Sequence, residues 1–70
     1  MTERITITLE LNEDVAWQLA QFCKRSSFDV FFELTEQHLP YEERRERAYK
    51  MIAGIEKVAA ALSTAGIAPR

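Results

Sequence analysis

Few side chains in this sequence could begin a chemical reaction: Cys23 as a thiolate nucleophile, His38 as a general base, and Glu42, Glu43 and Glu46 as a carboxylate acid–base set. Each needs company. A thiolate needs a polar, electropositive setting, but Cys23 falls on the apolar arc of a predicted helix, where a thiol behaves as a small hydrophobe. A general base needs an orienting partner, and His38 stands alone before Leu39 and Pro40. The glutamates alternate with Arg44, Arg45 and Arg47, the pattern of a solvated helix face. One cysteine and one histidine supply too few soft ligands for a zinc cage, and two glycines, Gly54 and Gly66, cannot build a phosphate loop. The sequence therefore reads as that of a non-enzymatic protein with no metal and no cofactor.

Binding is the better use of its side chains. Residues 26–43 carry Asp29, Glu33, Glu36, Glu42 and Glu43 with no Lys or Arg, together with Phe28, Phe31, Phe32 and Tyr41. Acids steer a basic partner and aromatic rings supply desolvated anchors, so Phe31, Glu33, Glu36, Tyr41, Glu42 and Glu43 form a candidate protein-binding set. Trp17 joins it, because it lies outside the apolar arc of its helix, beside Gln21 and Lys24.

The elements that must position these groups are legible as periodicities. Residues 4–11 alternate, with Ile5, Ile7, Leu9 and Leu11 on one side and Arg4, Thr6, Thr8 and Glu10 on the other, the pattern of a half-buried strand. Asn12 caps a helix over residues 13–25, with Glu13 and Asp14 at the positive end of its dipole. Residues 28–39 fit a strand or a short helix, and Ser27 together with Glu33, Leu34, Glu36 and Gln37 favours the helix. Pro40 opens a long helix over residues 41–65 with an apolar stripe of Ala48, Met51, Ile52, Ile55, Val58, Ala59 and Leu62. Mid-helix Gly54 suggests a close approach by another element. Gly66 reads as a left-handed terminal residue, Ile67 as packing back on Leu62, and Pro69 as a stop. The expected fold is a single α+β domain spanning residues 1–70, mostly helical, in the order β-α-α-α, with its strand paired in a homodimer.

Composition bounds the function classes. With 70 residues and 47% hydrophobic side chains the chain reads as one globular domain, small enough to need help from oligomerisation or a partner. Its net charge of −2 makes it a poor general binder of polyanions. No basic stretch leads an apolar run at the start and no apolar run reaches about 20 residues, so the expected location is cytoplasmic, without a membrane span.

Two resemblances add to this reading. The segment Arg4-Ile5-Thr6-Ile7-Thr8-Leu9 before a helix resembles ribbon-helix-helix repressors over the first third of the chain. That likeness implies a dimeric DNA-binding repressor in which Arg4, Thr6 and Thr8 read base edges. The turn Lys24-Arg25-Ser26-Ser27 lacks that family's usual glycine, and the segment that follows is acidic. The segment from Ala16-Trp17-Gln18-Leu19-Ala20-Gln21-Phe22-Cys23-Lys24-Arg25, with Ala48-Tyr49-Lys50-Met51 and the ending Ala65-Gly66-Ile67-Ala68-Pro69-Arg70, resembles a family of small uncharacterised proteins of phages, plasmids and integrative elements. That likeness implies a mobile-element origin but no activity; by analogy with other short acidic proteins of such elements, the expected function is that of an interaction protein binding a host protein complex, one that itself holds nucleic acid, as an inhibitor of host defence of the anti-CRISPR type. The alternatives are the repressor and a structural subunit of a larger assembly.

Overall fold

The computed structural model describes residues 3–68, and its regular structure consists of three helices: α1 (Glu13–Arg25), α2 (Phe28–Glu33) and α3 (Tyr41–Thr64). The expected α+β order β-α-α-α is not what the chain adopts. Among the described residues there is no strand and no sheet, and residues 3–12 form an irregular, wholly exposed arm. Two-residue alternation says which side chains would share a face; it supplies no backbone to pair with. The one internal candidate for a second strand, residues 28–34, is taken up by α2 and the turn after it. The strand therefore has no neighbour in the chain, and Ile5, Ile7 and Leu9 stand 84%, 75% and 62% exposed.

The helices follow from local chemistry. Glu13 and Asp14 occupy the first turn of α1, and Lys24 and Arg25 its last, each complementing the helix dipole. Asn12 holds the N-cap position, where its carbonyl accepts the Ala16 N–H at 2.9 Å, but its side chain makes no capping bond. The Asp14 carboxylate instead accepts the Val15 N–H at 3.0 Å. α2 is shorter than residues 28–39: Thr35 donates its hydroxyl to the Phe32 carbonyl at 2.6 Å, and the chain turns away. α3 starts after Pro40 and ends as expected. Gly66 has φ +91°, its N–H bonds to the Ser63 carbonyl at 3.0 Å, and the Ile67 N–H reaches the Leu62 carbonyl at 2.8 Å. This pair of bonds satisfies the last orphan carbonyls and folds Ile67 onto the Leu62 cluster. Pro69 lies outside the described residues.

α3 is the common support. α1 and α2 each pack on it, and among the described residues neither packs on the other. Ala16 and Ala20 of α1 meet Leu62, surrounded by Leu19, Cys23, Val58 and Ile67. Toward the other end of α3, Ala48 is completely buried, and Phe31 and Thr35 on the α2 side are buried with only a few per cent of their surface exposed. The core is thin: no large side chain is fully buried. The accessible surface is 6149 Å², against about 4500 Å² for a compact monomer of 8.1 kDa. The radius of gyration is 13.8 Å, where a compact chain of this length has about 11 Å.

Gly54 does not mark a close approach, since a β-carbon there would meet nothing within 4 Å. Gly54→Ala should therefore stabilise the protein by up to about 1 kcal/mol through helix propensity alone. Gly66→Ala should destabilise it by about 1–2 kcal/mol, because its φ penalises any β-carbon. Thermal denaturation of the two variants, with melting temperatures moving in opposite directions, checks both.

Candidate protein-binding surface

α2 and the first half of α3 bring four aromatic rings into a row. Tyr49 lies 5.3 Å from Phe28, Phe28 lies 5.6 Å from Phe32, and Phe32 lies 5.4 Å from Tyr41, all centroid to centroid and tilted by 38–44°. These are favourable aromatic geometries. The two phenylalanines are half-buried, whereas Tyr41 and Tyr49 are 60% and 55% exposed, so the row opens to solvent at both ends. Its helical spacing explains it: Phe28 and Phe32 stand four apart on one face of α2, and Tyr41 and Tyr49 eight apart on α3.

Arg44 fixes the row. Its guanidinium lies 4.2 Å from the Phe32 ring centroid, donates from Nε to the Thr35 hydroxyl at 2.8 Å, and donates from a terminal nitrogen to the Phe32 carbonyl at 3.1 Å. One side chain thus stacks on the ring, satisfies the buried Thr35, and places positive charge at the carbonyl end of α2. Arg47 pairs with Glu36 at 3.0 Å. The Glu36 carboxyl is held below its usual range by a hydrogen bond from its own backbone, with Arg47 adding its charge and a second hydrogen bond. Arg44 and Arg47 are thereby both engaged within the chain.

Of the residues expected to bind, Glu33, Glu36, Tyr41, Glu42 and Glu43 are exposed, on α2, the turn after it and the first turn of α3, and so is Asp29 of α2. Phe31 is not part of the surface; at 5% exposure it faces the core while Phe28 and Phe32 take the outward role. Trp17 is separate. It is half-exposed over a shallow groove lined by Asp14, Val15, Gln18 and Leu19, on the helix that packs near Leu62. Leu62 and Tyr41 stand about 30 Å apart along α3. Arg4, Thr6 and Thr8 are exposed on the unpaired arm, without the paired strand that would present them to a groove. Cys23 is half-buried against the α1–α3 core, and His38 is exposed in the turn before α3. Among the described residues no three His, Cys, Asp or Glu side chains converge as metal ligands. Among the described residues no helix is long and apolar enough to cross a membrane.

Sequence reasoning missed Arg44, Thr35 and Tyr49. The signal for Arg44 was present: it lies one turn before Ala48 on the buried stripe of α3, where a charged residue needs internal partners.

The fold and this surface define a small three-helix protein whose most developed exposed feature is an aromatic row rimmed with acids. The profile of a family of unknown function, DUF7706, matches residues 1–70, and the chain belongs to that family. Neither curated proteins nor solved structures yield a match.

Arg44→Ala should cost about 2 kcal/mol, since it removes two charge-assisted bonds and the stacked cation together. Arg44→Lys should recover only part, because an ammonium cannot reproduce the planar fork. Chemical denaturation checks the order. Acid works on Glu36 in a known direction: its lowered carboxyl favours the folded state at neutral pH, and that contribution fades as pH falls through the carboxylate range. Glu36→Gln should accordingly flatten the acid limb of the stability profile.

Proposed function

We propose that this chain is a non-enzymatic interaction protein that binds a basic surface of a host protein complex through the aromatic row and its acidic rim. The observation that carries the reading is the row Tyr49–Phe28–Phe32–Tyr41, open at both ends and bordered by Asp29, Glu33, Glu36 and Glu42. Exposed tyrosines held by packed phenylalanines are anchors that lose little conformational freedom on binding. The acids supply steering toward a positively charged partner; Arg44 is turned to Thr35 and the Phe32 carbonyl, while Arg47 pairs with Glu36 and leaves Asp29, Glu33 and Glu42 to supply the charge.

A basic protein surface in a bacterial cell is most often one that holds nucleic acid. The finer reading is therefore a phage or mobile-element protein that inhibits a host defence complex, of the anti-CRISPR type, by covering such a surface. Its mobile-element origin rests on sequence resemblance, and its inhibitory role on analogy.

The test is capture of a purified nucleic-acid-binding defence complex on immobilised protein. Binding should weaken by tenfold or more with Glu33→Lys and Glu42→Lys combined, and again with Tyr41→Ala, while Trp17→Ala leaves it nearly unchanged; a loss of about tenfold corresponds to 1.4 kcal/mol. Salt-dependent binding to duplex DNA that disappears in Arg4→Ala would overturn the reading in favour of a DNA-binding protein.

A further inference from the structure

We infer that the aromatic row selects arginine: two guanidinium groups of a partner protein segment, one over Tyr41 and one over Tyr49, with the flanking acids as their counter-charges. This rests on the reading of the row as the binding surface, and it names the side chain that the surface takes.

The chain already makes this contact once. Arg44 lays its guanidinium 4.2 Å from the Phe32 centroid while its edge donates to the Thr35 hydroxyl and the Phe32 carbonyl. A planar, weakly hydrated cation can stack by its face and hydrogen-bond by its edge together, whereas a compact, strongly hydrated ammonium has no face to stack. Tyr41 extends the row beyond Phe32, and Tyr49 extends it beyond Phe28. These two rings are 60% and 55% exposed. Among the described residues the stacked cation is Arg44, and it lies on Phe32, so the faces of both tyrosines are left to a partner.

Charge selects the same occupant. Asp29 and Glu33 stand four apart on α2, and Glu42 and Glu46 four apart on α3, all exposed. At 100° per residue the α2 pair lies opposite the buried Phe31, and the α3 pair lies on the side away from the buried Ala48. On each helix the rings of the row fall between the buried residue and the acids. The row therefore runs between two short acidic columns, which suit cations that lie on the rings and turn their donors outward. Arg45, one turn from each tyrosine, is a single opposing cation against those four acids. Spacing sets the ligand further. Eight residues of α3 put Tyr41 and Tyr49 about 12 Å apart. Residues four apart in an extended segment lie about 13 Å apart and point the same way.

The test is a nuclear magnetic resonance titration of the isotopically labelled full chain at low salt. The probes are a glycine-rich peptide carrying two arginines four residues apart and its lysine twin. The arginine peptide should bind severalfold more tightly, with its largest shifts on Tyr41 and Tyr49. Tyr41→Leu and Tyr49→Leu should each lower its affinity about two- to fivefold and narrow its lead over the lysine twin. Tyr41→Phe and Tyr49→Phe keep the ring and should hold both. The backbone spectrum of each variant shows directly whether it folds. Arg45→Ala should tighten both peptides, and weaker binding there would overturn the assignment. Equal binding of the two peptides would overturn selection of arginine and leave a basic partner chosen by charge alone. Shifts that avoid the row, or no binding of either peptide, would overturn the reading of the row as a binding surface as well.

Discussion

Everything ordered in this protein is ordered against α3. Among the described residues α1 and α2 pack on that helix and not on one another, so the 24-residue α3 is at once the longest element and the shared support of two helices that only the short Ser26-Ser27 connection otherwise joins. The contacts that make this work are small. Ala16, Ala20 and Ala48 are buried, and short side chains let helix backbones approach closely without needing large complementary pockets. The cost of that economy is a thin core, and it explains why so much apolar surface, including the whole arm, remains outside it.

α2 illustrates how tertiary contacts substitute for intrinsic stability. Six residues are far too few to hold a helix in water. What holds this one is Phe31 in the core, Phe32 under the Arg44 guanidinium, and the Phe32 carbonyl gathering bonds from the Thr35 backbone, the Thr35 hydroxyl and Arg44. The surface assigned to partner binding is therefore rigid where it is aromatic and freely solvated where it is acidic. That division suits recognition, with fixed anchors inside a compliant charged rim.

Much of the helical frame was legible from residue types. The bounds of α1, the start of α3 and its glycine-dependent termination follow from dipole-matched charges, Pro40 and the Gly66–Ile67 pair, all of which act over a few residues. The arm was misread because alternation is a property of one segment while strand formation is a property of two. Ile5, Ile7, Leu9 and Leu11 report a shared face and carry no information about whether a neighbouring backbone exists. Gly54 was misread for a related reason: a glycine in a helix permits a close approach but does not require one. At the surface, the acidic character of residues 26–43 and Tyr41 were visible, but the exchange of roles between Phe31 and Phe32 was not. Helical phase over six residues leaves both rings near the boundary; in the fold Phe31 is buried and Phe32 lies under the Arg44 guanidinium, a residue twelve positions on in the sequence.

The division of α3 between two tenants also shapes how the molecule can come apart. Its first half is held by α2 and the Arg44 bonds, and its second half by α1 through the Leu62 cluster, with Gly54 between them in open space. Loss of one tenant removes no direct contact from the other. Amide exchange in such an arrangement would proceed by two separate openings with their own free energies, joined through the backbone near Gly54 and the short Ser26-Ser27 connection. The protein would then behave less as one cooperative block than as two short modules threaded on a common rod, able to loosen at the recognition end while the opposite end stays closed.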